Sequence, residues 1–215
     1  VASSGMLCSA KELGINPDAS GLYELPTDTP VGQNIREYLS LDDTVYTIKL
    51  TPNRADCLSV RGVARDVCAL VGGANAVPLT PLVVKPVAPN ADITLPIKID
   101  APVACARLTG RVIKNLNANA PTPLWMVQRL ERAGHRSISA LVDITNYVML
   151  TLGQPMHVYD LDAVSGTLTA RMAKSGESVK LLNEQTHALQ DDGLVIADDE
   201  KILGMAGVML CLINN

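Results

Sequence analysis

The sequence predicts an α+β fold in which a mixed, largely antiparallel sheet packs with helices. Three observations carry that prediction. Strand-like runs outnumber helical ones, and they do not alternate strictly with helices as a doubly wound sheet requires. From residue 93 onward the apolar residues recur first at every second position and later at spacings of three and four. With 215 residues and 47% hydrophobic content the chain is long and apolar enough to bury a substantial core. No internal repeat is visible.

Residues 1–44 read as irregular, because Gly5, Gly14, Pro17, Gly21, Pro26, Pro30 and Gly32 interrupt every short apolar stretch. Residues 45–50 alternate and are rich in β-branched side chains, so a strand is expected there, broken by Pro52 and Asn53. A helix is expected from Cys57 or Ser59 to Leu70, ahead of Gly72 and Gly73. Pro78, Pro81, Pro86 and Pro89, followed by Pro96, make the next stretch the best linker candidate. Ile93, Leu95, Ile97 and Ile99 then mark a strand with one buried face, and Pro96 places it at a sheet edge. A second strand is expected over residues 107–114. Thr122 and Pro123 resemble a capped helix start, with Leu124, Val127 and Leu130 facing inward and Gly134 ending the helix. Further strands are expected at 167–172, 178–182, 194–197 and 202–209.

Composition excludes several function classes. The net charge of −4 supplies no global field to attract nucleic acid, so any RNA contact must be local. Aromatic residues are 3% with no phenylalanine, which leaves few stacking surfaces. No apolar run reaches the roughly 18–20 residues of a membrane span, and residues 1–5 lack the order of a signal peptide, so a soluble, cytoplasmic protein without membrane association is expected. Five widely spaced cysteines without a CxxC pair read as reduced thiols, most of them buried. His157 and Asp160 lack a third ligand at suitable spacing, so no metal site is expected. Neither a phosphate-binding glycine loop nor a serine-hydrolase elbow occurs.

The segment from Arg136 to Asp160 is the most informative. Leu141, Ile144, Val148 and Leu152 form one apolar stripe of a helix, which Gly153 and Pro155 stop. From Asn146 to Leu152 that helix climbs about 9 Å, and the extended residues to His157 reach at most about 16–18 Å. A reversal at Gly153 therefore allows His157 to return beside Thr145 and Asn146, placing an imidazole, a hydroxyl and an amide on one wall. Arg129, Arg132 and Arg136, near a helix C-terminus, are candidates for RNA contact, although a solvated face with favourable dipole contacts is the commoner role of such a cluster.

Several strings resemble the beta subunit of bacterial phenylalanyl-tRNA synthetase, in that family's order. They are Gly5-Met6-Leu7-Cys8-Ser9, Thr51-Pro52-Asn53-Arg54-Ala55-Asp56-Cys57-Leu58, Ala64-Arg65-Asp66, Ala120-Pro121-Thr122-Pro123-Leu124-Trp125-Met126, Val142-Asp143-Ile144-Thr145-Asn146-Tyr147-Val148, Gly153-Gln154-Pro155-Met156-His157 and Met205-Ala206-Gly207. The resemblance implies an OB-fold remnant over 1–44, part of a small α/β structural module and linker over 45–79, and an editing domain over 80–215 that is incomplete at its C-terminus. It implies hydrolysis of tyrosine wrongly attached to tRNA(Phe). An apolar synthetic pocket rejects an added hydroxyl by only about a hundredfold, so a second site that recognises the hydroxyl is physically warranted.

By the same resemblance His157, Thr145 and Asn146 are catalytic candidates, while Pro155, Ala206, Gly207, Met156 and Gln154 bind substrate. The family's glycine pair and phenol-reading glutamate do not follow Gly207 here, so weak or no selective deacylation is expected of the 215-residue chain alone. No cofactor is expected for this portion. ATP and magnesium belong to the whole enzyme, a heterotetramer of two alpha and two beta subunits that acts on tRNA(Phe). A non-catalytic structural or RNA-docking module, or a free-standing editing relative with another aminoacyl-tRNA substrate, are the alternatives.

Overall fold

The computed structural model describes residues 5–15, 19–72, 78–180, 185–206 and 209–210. The chain divides into two compact units, residues 1–46 and 47–215. In the first, turns predominate and the only helix among the described residues is the short α1, Ile35–Tyr38, capped by the Asn34 side chain accepting from Arg36 N. The residues expected to form a strand at 45–50 do not. They run without a ladder partner, with Val45, Tyr46 and Ile48 exposed. Alternation makes a strand only where another backbone edge is at hand.

In the second unit a 3-10 turn, Ala55–Cys57, leads into α2, Val60–Gly72. The helix begins at Val60 because Ser59 caps it: Ser59 Oγ accepts from Gly62 N at 3.1 Å and its carbonyl accepts from Val63 N. A Cβ on Gly62 would lie 1.7 Å from the Asp56 carbonyl oxygen, so this position tolerates no side chain. Gly62→Ala is accordingly expected to cost about 1–3 kcal/mol of stability, read as a lower urea midpoint. Of the four described cysteines only Cys57 is buried, and all four are free thiols. The expectation that most would be buried is thus corrected: partial cover suffices for a thiol.

Helices α3, Leu124–Arg132, and α4, Ala140–Leu152, pack against each other, and α4 also packs against α2. In α3 the buried residues are Met126 and Leu130, one turn apart, while Leu124 is exposed. Pro123 is the N-cap residue, one position later than expected. Thr122 does not cap the helix because its hydroxyl donates instead to Asp143.

The five-stranded sheet has the order β1-β2-β5-β6-β7, formed by Ile97–Ile99, Leu168–Met172, Leu194–Ala197, Ile202–Met205 and Met209–Leu210. β1 runs parallel to β2 and every other pairing is antiparallel, so the sheet is mixed and largely antiparallel as the sequence predicts. β1 lies at an edge, beside Pro96. It is shorter than the periodicity over 93–99 suggested. β3, Ser178–Lys180, pairs with β4, Thr186–Ala188, in a separate hairpin. β4 carries no alternation of burial, which is why its pattern was not legible. Residues 107–114 form no ladder. They pass close beside β1, where a Cβ on Gly110 would meet Ile97 Cδ1 at 2.9 Å, without exchanging hydrogen bonds with it.

The sheet is buried on both faces, because successive residues of a strand point oppositely. Val195 joins Ala173, Val179 and Leu189, whereas its neighbour Ile196 joins Leu168, Ala170 and Leu203. Two carboxylates brace the connections. Asp198, in the β5–β6 turn, accepts from the backbone N–H groups of Ser165, Glu200 and Lys201. Burial pushes its carboxyl up, but those donors prevail and hold it below the usual range. Glu177 takes a two-pronged contact from Arg171, at 2.8 and 2.9 Å, and a third hydrogen bond from Lys174 N. The Arg171 guanidinium, aided by that backbone donor, pulls the Glu177 carboxyl down to about 2. A depressed carboxyl stabilises the fold above its unfolded pKa of about 4.3 and loses that contribution as pH falls through the folded value. The urea-midpoint gap between the natural chain and Glu177→Gln should therefore be largest near neutral pH and close between about pH 4 and pH 2.

Candidate functional site

The elements around residues 136–160 are set by local chemistry. Ser139 caps α4 by accepting from Val142 N, and Gly153 ends it in the left-handed region at φ 78°. Only Asp143 of this helix is fully buried, and Ile144 of the expected apolar stripe is 46% exposed. The helix therefore rests on its neighbours through a polar anchor as well as half-buried apolar side chains. Asp143 Oδ2 accepts from Thr122 Oγ1 and from Ser137 Oγ, each at 2.5 Å, and Oδ1 accepts from Ile138 N at 3.0 Å. Burial pushes this carboxyl up, but the Ser137, Thr122 and Ile138 donors outweigh it and hold it below the ordinary carboxylate range.

After Gly153 the chain leaves the helix and runs exposed through Gln154, Pro155, Met156 and His157. The His157 ring lies 6.3 Å from the Tyr159 ring, tilted by 50°. Partial desolvation lowers the His157 pKa, so the imidazole is neutral at pH 7 and able to accept a proton. Tyr159 packs on the apolar cluster of Leu168, Ala170, Ile196 and Leu203, and Ala206 packs on the same cluster. The strap that carries His157 is thereby tied to the core that also receives the residue after β6.

The other candidates are placed differently. Thr145 is half-buried and its hydroxyl donates to the Val142 carbonyl at 2.7 Å, within its own helix. Asn146 is half-buried, and Gly207 lies outside the described residues. Among the described residues no hydrogen bond or ring contact joins Thr145 or Asn146 to His157. Of the three basic candidates, Arg129 is engaged with Trp125 and Tyr147, and Arg136 is exposed near Arg132 in sequence.

Two clefts open elsewhere. One of about 600 Å³ is lined by charged side chains, among them Arg171, Lys174, Glu177 and Lys201. The other, about 320 Å³, lies between residues 118–122 and Ser137–Ala140. Neither includes Thr145, Asn146, His157 or Ala206. Among the described residues no three His, Cys, Asp or Glu side chains are grouped to hold a metal, and no helix is long and apolar enough to cross a membrane.

Asp143 and the Trp125–Tyr147 pair were not singled out from the sequence as candidates. The signal for the first was an acidic residue in the first turn of a serine-capped helix, with another serine two residues before the cap. That for the second was Trp125 and Arg129 at a four-residue helical spacing.

Comparison with known proteins matches residues 104–212 to the B3/4 domain family. The chain is 57% identical over 209 residues to the phenylalanine–tRNA ligase beta subunit of Chromobacterium violaceum, covering 97% of this chain and 26% of that protein. It is 58% identical over 209 residues to that of Dechloromonas aromatica, again covering 97% of this chain and 26% of the relative. Against that of Neisseria meningitidis it is 55% identical over 210 residues, with the same coverage of 97% and 26%. The chain thus spans about a quarter of the length of these relatives. Similar over nearly its whole length to phenylalanine–tRNA ligase beta subunits, and matched by the domain model from residue 104 through β2 to β7, the chain belongs to the B3/4 domain family.

Proposed function

We propose that this chain is the editing region of a phenylalanine–tRNA ligase beta subunit and hydrolyses the ester of tyrosine mischarged onto tRNA(Phe). The observation that carries the reading is the seating of Ala206 on the same apolar cluster as Tyr159, whose ring lies 6.3 Å from the exposed His157 imidazole. In this mechanism His157 accepts a proton from water as the water oxygen attacks the ester carbonyl. The bond to the ribose oxygen breaks, and that oxygen takes a proton as it leaves. Asn146 and the Gly207 backbone N–H stabilise the developing oxyanion, Ala206 N–H being held by the Leu194 carbonyl, while Gln154, Pro155 and Met156 flank the amino acid. Thr145 contributes by stiffening the helix or by turning its hydroxyl outward when substrate binds. Arg129, Arg132 and Arg136 meet the RNA.

The resemblance assigns ATP, magnesium and an alpha-subunit partner to the complete cytoplasmic enzyme. Deacylation of Tyr-tRNA(Phe) by a complete ligase tests the reading. Asn146→Ala is expected to slow it by about 10²-fold, with aminoacylation by phenylalanine unaffected. A competing reading, a non-catalytic RNA-docking module, draws on the engagement of the Thr145 hydroxyl within its own helix. RNA binding without any turnover of Tyr-tRNA would establish that reading and refute the hydrolytic one.

A further inference from the structure

The face where α3 meets α4 carries the chain's single tryptophan, and that residue is 48% exposed. Arg129, one helical turn beyond it, holds its guanidinium carbon 5.3 Å from the Trp125 ring centroid and donates from Nη1 to the Tyr147 hydroxyl oxygen at 2.8 Å. Tyr147 meets Trp125 edge-on, with centroids 5.3 Å apart and planes at 84°. The three side chains fix one another. An exposed arginine ordinarily samples many rotamers, but here the guanidinium is oriented before any ligand arrives, which lowers the entropy cost of binding.

We propose that Trp125, Arg129 and Tyr147 form a stacking platform for an unpaired nucleobase of an RNA strand. Aromatic and guanidinium planes receive any base by its π-face. Charge selects the partner: Arg129 and Arg132 stand in the last turn of α3 and exposed Arg136 follows four residues on, against the one carboxylate of Glu131, in a chain whose net charge is −4. Tyr147 directly follows Asn146, about 100° around α4, so a base on the platform lies within reach of a neighbouring nucleotide at Asn146. The proposal rests on the editing reading only for the source of the strand, the 3′ end of an aminoacylated tRNA. The platform would hold a base that precedes the reacting terminus, outside the hydrolytic residues.

Because Trp125 is the only tryptophan, its fluorescence reports this site alone. Titrating the 215-residue chain with a short single-stranded oligoribonucleotide ending in CCA is expected to quench it saturably. The dissociation constant should rise about tenfold in Arg129→Ala and a few-fold in Tyr147→Phe, and Arg129→Lys should not restore it because the plane is lost. Trp125→Tyr, followed by anisotropy of a labelled oligonucleotide, gives the same comparison without the reporter, and circular dichroism checks that each variant is folded. Unsaturable quenching, or equal affinity in folded Arg129→Ala, overturns the platform. So does a Trp125 emission that responds to protein concentration and not to RNA, which would assign the patch to a protein contact. Deacylation that persists in a ligase with unaltered RNA affinity upon Arg129→Ala refutes the platform alone; saturable quenching of the 215-residue chain, beside a complete ligase that cannot deacylate Tyr-tRNA(Phe), refutes the editing reading alone.

Discussion

Asp143→Ala is expected to remove about 3–5 kcal/mol of stability, the largest effect of any single change outside the sheet. The substitution removes three hydrogen bonds to a carboxylate that is itself sealed from solvent, although Thr122 and Ser137 are half-buried and Ile138 is exposed, and each hydrogen bond to a charged group contributes about 1.5–3 kcal/mol. Against a total of about 5–15 kcal/mol for a domain, that is a substantial fraction. Asp143→Asn keeps one acceptor oxygen, and hydroxyls can rotate to accept from the new amide, so its cost should be about 1–2 kcal/mol. Asp143 also titrates. Its folded pKa lies below the unfolded value, so its contribution is present above about pH 4 and is lost as pH falls through the lower folded value. Urea denaturation at neutral pH and near pH 3 reads both effects. Equal midpoints for Asp143→Ala and the natural chain would mean that the three donors find other partners.

The second large effect concerns catalysis. His157→Ala in a complete ligase is expected to slow Tyr-tRNA(Phe) deacylation by about 10²–10⁴-fold, the usual contribution of a positioned general base, with little change in Phe-tRNA formation. Desolvation lowers the imidazole pKa, so the acid limb of the natural profile should have its midpoint below about 6.5 and activity should already be on its plateau at neutral pH. The alanine variant should lack that limb. An unchanged rate would remove His157 from the mechanism and leave water held by Asn146 and backbone groups as the sufficient device. A lowered rate with the limb retained would make His157 a positioning group whose proton is not transferred.

The two effects are separable in principle, because Asp143 braces the start of α4 whereas His157 lies beyond its end. A variant at Asp143 that folds at low temperature should show a reduced kcat if the direction of α4 sets the position of Asn146. If only the population of folded protein falls, the rate per folded molecule should stay constant.

Much of this architecture is legible from local chemistry. Ser139 and Gly153 bound α4 because a hydroxyl acceptor and a left-handed residue satisfy the ends of a helix wherever it lies. Alternation over 168–172 and the continuous apolar run over 194–197 mark strands, both of them inside the sheet and the second covered on both faces. Arg129, Arg132 and Arg136 were legible as a cluster, but the pairing of Arg129 with Trp125 and Tyr147 was not, since Tyr147 comes from the next helix.

What the sequence by itself determined is therefore the content of each segment: helix limits, the central strands and the left-handed stop at Gly153. Tertiary structure decided which segments found partners. Residues 45–50 alternate and residues 107–114 read as a strand, yet neither forms a ladder, whereas β4, Thr186–Ala188, forms one with no alternation of burial. It also decided that Asp143, and no apolar residue of α4, is the one sealed from water, and that Tyr159 and Ala206 share a core. The physical reason is the same in each case. A cap or a turn is satisfied by neighbours within a few residues, but a ladder, a buried carboxylate or a shared cluster needs groups from distant parts of the chain, whose approach no local pattern encodes.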